Sequence, residues 1–381
     1  MRTFTALSAD FVQRHERDLY HCSSCNYCVD AVWPERGMTA VCATLESHSR
    51  APGYSGRGFI EAARAAYEGL ALDADVLAAR VFTCTTCGNC ERACPIGLAP
   101  ASVGRALRAE LVAQDALPAP LAALRERMAR EGNPDGKPRA DRHAWCGADT
   151  TPHAAGRFFV GCAAAYGRPE EARAGLALLR ALGAEPEVAQ AGCCGAPLAE
   201  LGCAREADAL ARAARAGLAE EGAVVLGAEC RRQLELPGAA SLARQVIDAW
   251  RAGRLRLRPR PSAPREVHLV ESCQLRGTRR GEATDEQAAA ELFDALGVRL
   301  ANRDFPNHHA TCCGAAGGMP AMAPASARAM AAARLPERGV VVSLDPRCAN
   351  HLRGAAPEAL PVLGFAEFLT THFDIDGEGA R

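Results

Sequence analysis

Seven of the chain's 18 cysteines fall in two short runs, "HCSSCNYC" at 21–28 and "CTTCGNCERACP" at 84–95, with two residues between successive thiols except for three before the last, Cys94. Few features constrain a fold more. Cys22, Cys25 and Cys28 stand too close together for loop-closing disulfides, whose geometry needs well-separated backbones. The first residues, "MRTFTALSADFVQRHERDLY", are broken by charge and hold no continuous apolar stretch, so no signal peptide is expected. Disulfides rarely persist in the cytoplasm such a chain implies. A secreted disulfide framework is therefore set aside, and metal ligation accounts for the cysteines better.

A C-x2-C-x2-C run brings three thiolates around one loop at a reach suited to three irons of a cubane, and a fourth thiolate must come from elsewhere. In the second run Cys84, Cys87 and Cys90 are followed after three residues by Cys94-Pro95, the bacterial ferredoxin spacing. In that pattern the fourth cysteine serves the other cluster. The rule assigns Cys94 to Cys22, Cys25 and Cys28, and leaves Cys42 to join Cys84, Cys87 and Cys90. Two [4Fe–4S] clusters are expected. Zinc is the competing reading, but zinc sites are built from cysteine pairs rather than triplets ending in Cys-Pro. The first run is the less regular: 13 residues separate Cys28 from Cys42, and Ala43 stands where a proline would be. His48 is an alternative ligand there, against the plainer reading of a surface histidine.

With 44 Lys+Arg and 45 Asp+Glu the formal net charge is −1, which argues against nucleic acid as the main partner and against a polybasic membrane anchor. No run reaches the roughly 18 apolar residues of a membrane-spanning helix. Residues 1–115 read as a small helical domain holding metal in its loops, with "GFIEAARAAYEGL", "DADVLAARVF" and "SVGRALRAELVAQ" as helices. Residues 116–155 read as a connector, dense in Gly, Pro, Asn and Asp.

Beyond the connector the chain repeats itself. The first copy, 156–258, runs from the strand-like "RFFVGC" through a helix to "AGCCGAP", an Ala-rich helix and "GAVVLGAEC". The second, 259–375, runs from "EVHLVESC" through "AAAELFDALGVR" to "TCCGAAG", an Ala-rich helix and "GVVVSLDPRC". β-Branched runs separated by helices predict parallel strands with crossover helices, an α/β unit built twice. Each copy supplies a cysteine after its opening strand, a Cys-Cys-Gly, and a cysteine after a later strand. The sets are Cys162, Cys193, Cys194 and Cys230, then Cys273, Cys312, Cys313 and Cys348. Open α/β sheets bind ligands at the carboxyl ends of their strands, and Gly195 and Gly314 permit positive φ or a close backbone approach.

The doubled Cys-Cys-Gly module behind a twin-cluster ferredoxin domain, over about residues 15–365, resembles the catalytic iron–sulfur subunit of heterodisulfide reductase. It resembles equally the iron–sulfur subunits of glycolate oxidase, lactate-utilisation and anaerobic glycerol-3-phosphate dehydrogenase complexes. The resemblance implies an α plus α/β architecture, and it implies that the Cys-Cys-Gly cysteines can hold non-cubane [4Fe–4S] clusters. In heterodisulfide reductase the motif ends in a C-x2-C pair. Here Gly227 and Asp345 stand where the first cysteine of that pair would be, so each site has four cysteines rather than five. An electron-transfer cluster, another metal, or an empty module kept for docking all remain open. Asp345 reads as a turn residue before Pro346, with an oxygen ligand as the alternative. His308, His309 and His351 flank the second site as candidate ligands, and Cys146 and Cys203 have no counterpart in the repeat.

No G-x-G-x-x-G opens a helix after a strand, so no flavin or nicotinamide fingerprint is present, and the glycines of "GAAGG" at 314–318 read as a cluster-cradling loop. The two-electron chemistry is expected on a flavoprotein dehydrogenase or reductase partner. This chain is expected to relay single electrons from it to an acceptor. The alternative is catalysis at the Cys-Cys-Gly sites themselves, reducing a disulfide or a quinone; a zinc-binding scaffold is the non-redox reading. The expected setting is cytoplasmic, or peripheral to the inner membrane through the partner.

Overall fold

The computed structural model describes residues 2–4, 6–30, 41–148, 150–183, 187–219, 221–270, 272–273, 285–301 and 312–377. His308 and His309 lie outside them. The chain divides into two compact units. One takes Met1–Glu126, Pro197–Ala207 and Asp304–Arg334; the other takes Arg127–Ala196, Asp208–Arg303 and Leu335–Arg381. In both repeats, the residues that follow Cys-Cys-Gly thus leave the α/β unit and fold with the N-terminal one.

The first unit is helical, as its Ala-rich, 3.6-period segments predict. Ser8 starts the helix Ala9–His21 by accepting from the Phe11 N–H at 3.2 Å. Ser55 does the same for Gly56–Tyr67 through Gly58, and Pro100 opens Pro100–Ala113 with a preset φ. The buried faces carry Phe11, Leu19, Phe59, Ile60, Val103, Leu107 and Leu111. A two-residue strand, Thr3–Phe4, pairs antiparallel with Leu72–Asp73.

The second unit shows the duplication as geometry. Phe158–Phe159, Val224–Val225 and Ala240–Ser241 form a parallel three-stranded sheet in that order. Their counterparts Glu266–Val270, Val341–Ser343 and Val362–Gly364 form the same parallel order, with Arg299–Leu300 added outside Glu266–Val270. Each repeat then ends in a helix and a strand, and the two terminal strands, Leu255–Pro259 and Phe373–Gly377, pair antiparallel. Repeat is matched to repeat through one core that includes Phe158, Leu178, Val246, Leu292, Phe293 and Phe368. The helix Pro169–Ala181 packs on Phe365–His372, and Leu242–Arg251 packs on Asp285–Ala295, so the first helix of each copy meets the last helix of the other.

The same symmetry sets two polar contacts. Asp285, at the start of one first helix, accepts from Ser241 Oγ and ion-pairs with Arg244 at 3.0 Å. Glu171, at the start of the other, accepts from the Ala366 and Glu367 N–H groups at 3.1 and 2.7 Å. The segment 116–155 is more than a connector: it contains the helix Ala119–Glu131 and the 3-10 turn Arg139–His143, and it buries Arg142 and Trp145. Leu121 and Met128 supply the apolar face that folds the helix.

Burial pushes Glu171 up to about 7, opposed by its two N–H donors and by Arg168 and reinforced by Glu367. A carboxyl whose pKa is raised on folding stabilises the fold fully below its unfolded value and loses that contribution as pH rises through the folded value. Urea midpoints should therefore fall between about pH 4.5 and pH 7, by the equivalent of up to about 3 kcal/mol. Glu171→Gln should flatten that slope.

Candidate metal centres

The two cysteine runs adopt one backbone twice. In the first, Ser24 (φ 55°) and Asn26 (φ 66°) bracket Cys25 in the left-handed region; in the second, Thr86 (φ 55°) and Gly88 (φ 74°) bracket Cys87. Positive φ at a β-branched threonine is costly and persists only where surroundings impose it. A short helix follows each loop, Tyr27–Asp30 and Asn89–Ala93, and places the third cysteine, Cys28 or Cys90, at its second position. Arg64 holds the entry to the first loop, donating to Leu19 O at 2.6 Å and Cys22 O at 3.0 Å.

Cys22, Cys25, Cys28 and Cys94 line one cavity, open to solvent and walled by Arg57, Ile60 and Leu98. The chain thus brings Cys94 to the first triplet, across 65 residues of sequence, and the Leu98 N–H donates to its Sγ at 3.3 Å. Burial pushes Cys28 up to about 12, with Cys22, Cys94 and Cys25 adding to it. Cys42 lies within electrostatic reach of Cys84, Cys87 and Cys90. Burial raises Cys42, Cys84 and Cys90. Cys87 alone is lowered, chiefly by a hydrogen bond with Cys312. The Thr86 N–H donates to Cys84 Sγ at 3.3 Å. His48 stacks on Tyr54 at 4.3 Å, with Nδ1 at 2.8 Å from Thr44 O.

In the first repeat all four predicted cysteines come together. Cys162 begins a helix after Phe158–Phe159, and Cys230 lies in the helix after the neighbouring strand Val224–Val225, so both stand at the carboxyl edge of the sheet. Sulfur contacts run from Cys162 to Cys193 to Cys194 to Cys230, the last at 3.2 Å, and all four are buried. In the second repeat Cys273 and Cys348 follow the equivalent strands, whereas Cys312 and Cys313 belong to the N-terminal unit. Both Cys-Cys-Gly turns use a left-handed glycine, Gly195 at φ 85° and Gly314 at φ 90°, whose N–H reaches back at 3.4 Å to Cys193 or Cys312 Sγ. Asp345 caps the helix Pro346–Arg353, accepting from the Arg347 N–H at 2.9 Å and Ser272 Oγ at 2.8 Å. His351 is half-buried on that helix. Cys146 packs against the core, and Cys203 is buried.

Sequence reasoning missed one residue at the first Cys-Cys-Gly site. Arg142, on the 3-10 turn in the presumed connector, is buried with Nη1 3.3 Å from Cys162 Sγ. Its other bonds end on Val160 O and Gly192 O, both at 2.9 Å, and on Ala191 O, and it lies over the Phe159 ring. No local pattern marks it.

These sets fit iron–sulfur chemistry. The donors are all sulfur, N–H groups point at several of them, and a Cβ at Gly161 would lie 2.6 Å from Cys230 Sγ, so the backbone there is closed onto the thiols.

Comparison with known families agrees. A 4Fe-4S dicluster domain matches residues 16–98, and a cysteine-rich domain matches twice, at 157–232 and 267–353. The chain belongs to the iron–sulfur proteins that join these two domains, the architecture of the heterodisulfide reductase, glycolate oxidase and anaerobic glycerol-3-phosphate dehydrogenase iron–sulfur subunits. It is an iron–sulfur redox subunit. No curated protein matches it in sequence. No helix among the described residues is long and apolar enough to cross a membrane.

Arg142→Met should leave three buried carbonyls without their donor and lower unfolding stability by about 2–4 kcal/mol, read as an earlier urea midpoint with unchanged slope. An unchanged midpoint would show that Arg142 is not buried in these bonds.

Proposed function

We propose that this chain relays single electrons between a flavoprotein dehydrogenase or reductase and an acceptor, as the electron-transfer subunit of a multi-subunit oxidoreductase. The observation that carries this reading is the pair of matching left-handed cysteine loops, each with a fourth cysteine drawn from elsewhere in the chain. Cys22, Cys25, Cys28 and Cys94 would hold one [4Fe–4S] cluster, and Cys84, Cys87, Cys90 and Cys42 the other. Bound clusters supply one-electron capacity, with potentials set by hydrogen bonds to sulfur and by exposure. The residues here supply those settings: N–H donors to Cys84 and Cys94, and a first cavity open to solvent. Cys25 and Ile96 stand exposed at that cavity, which shortens the path to a docked partner.

A second reading places disulfide or quinone reduction at the Cys-Cys-Gly sites. It is favoured by the four contiguous buried thiols of the first repeat beside the Arg142 cation. A non-cubane cluster or another metal at those sites would serve either reading.

Anaerobically purified protein should contain at least about eight irons per chain, since each cubane holds about four. Cys94→Ser should lose about four of them together with one paramagnetic signal after dithionite, while the second signal persists. With reduced viologen and a disulfide, the isolated chain should show no turnover until a flavoprotein partner is added. Turnover by the chain alone would favour the second reading.

A further inference from the structure

Arg108 lies in the middle of "SVGRALRAELVAQ" and is 1% exposed. Its guanidinium makes five hydrogen bonds, and all end on main-chain carbonyls. Nε and Nη2 reach Val81 O at 3.2 and 2.8 Å, Nη2 also reaches Cys84 O, and Nη1 reaches Glu200 O at 2.6 Å and Gly317 O at 2.9 Å. The plane lies over the Phe82 ring, 5.2 Å from its centre. Three segments remote in sequence are thereby tied to one side chain within the N-terminal unit.

The segments tied are the ones that shape the second cysteine loop. Gly317 (φ 70°) is pressed so closely onto that loop that a Cβ would stand 2.2 Å from Cys84 O, and its N–H donates to Glu200 Oε2 at 2.9 Å. Five residues earlier, Cys312 hydrogen-bonds with Cys87. Arg108 draws the Val81 and Cys84 carbonyls toward itself, while the Thr86 N–H points at Cys84 Sγ. Desolvating a guanidinium is expensive, and neutral carbonyls do not cancel its charge. The ionisable groups that act on it are Cys84, Glu200 and the cation Arg105.

We propose that Arg108 is a positioning and charge-compensating residue of the second cluster: it fixes the Cys84–Cys87 loop against the Cys312–Gly317 loop and raises that cluster's reduction potential. The assignment rests on Cys42, Cys84, Cys87 and Cys90 holding a cluster, as read above. Reduction adds negative charge to the cluster, so a fixed cation nearby favours the reduced form, and the low local dielectric strengthens the effect. The first cluster's cavity is lined instead by the partly exposed Arg57, and serves as an internal reference.

The test is an anaerobic redox titration of the whole chain, followed by paramagnetic resonance, in the wild type, Arg108→Gln and Arg108→Lys. In Arg108→Gln the reduced-to-oxidised ratio of the second cluster at a fixed potential should fall at least about tenfold, about 59 mV for one electron. The first cluster should not move. Arg108→Lys keeps the charge, so its second cluster should stay within about threefold of wild type, although it cannot reach all the carbonyls. A glutamine variant with both clusters intact and neither potential shifted overturns the proposal. If the glutamine variant does not fold, a tenfold shift in the lysine variant overturns it instead, and a wild-type ratio supports it. A wild type with only one cluster defeats the cluster reading itself, and this assignment with it.

Discussion

A thiolate can be kept away from water only if positive charge takes up its own. The two loop systems each gather cysteines that are partly or fully withdrawn from water, apart from the exposed Cys25, and the four of the first repeat are buried. Burial drives their thiols toward the protonated form, as at Cys28, Cys42, Cys84 and Cys90. Bound iron would reverse that preference by taking the place of the protons, which would couple metal binding to loop folding. The left-handed Ser24, Asn26 and Thr86 around Cys25 and Cys87 are backbone costs, whereas Gly88, Gly195 and Gly314 take the same conformation without one.

The second principle of the architecture is duplication. Each repeat presents an amphipathic first helix and last helix that cannot be buried alone, and exchanging them with the other copy builds one core. The two polar contacts at the helix starts show how the copies have diverged. One became an Asp285–Arg244 pair anchored by Ser241, the other a buried Glu171 capping a helix start. The first is satisfied by charge; the second leaves a carboxyl whose proton affinity has been raised. Cys193 and Cys194 lie with Cys162 and Cys230, and Cys312 hydrogen-bonds with Cys87.

Much of this was legible in the sequence because it is local or periodic. Two-residue cysteine spacing dictates a loop, Cys-Pro after a triplet points to a crossed ligand, and the order strand, cysteine, helix, Cys-Cys-Gly announces the repeat. Asp345 before Pro346 reads as a turn residue and is found capping a helix. What was not legible depends on chain segments arriving from far away. Arg108 is buried by residues 200 and 317, and Arg142 by strand-end carbonyls 18 to 50 positions on. Neither could be told from a solvated arginine by its neighbours. The exchange of 197–207 and 304–334 into the helical unit leaves no signal in periodicity, because those helices are Ala-rich in either setting. The strand Thr3–Phe4 is too short to show alternation.

On the proposed ligand sets, two groups of four thiolates would each enclose a four-iron body, Cys94 joining the first run and Cys42 the second. Anomalous diffraction at the iron edge, from crystals grown without oxygen, tests it most directly. It should show two iron-rich peaks in the helical unit, one bounded by Cys22, Cys25, Cys28 and Cys94, the other by Cys42, Cys84, Cys87 and Cys90. Peaks bounded by other residues, single-ion peaks, or no iron at these loops would contradict it.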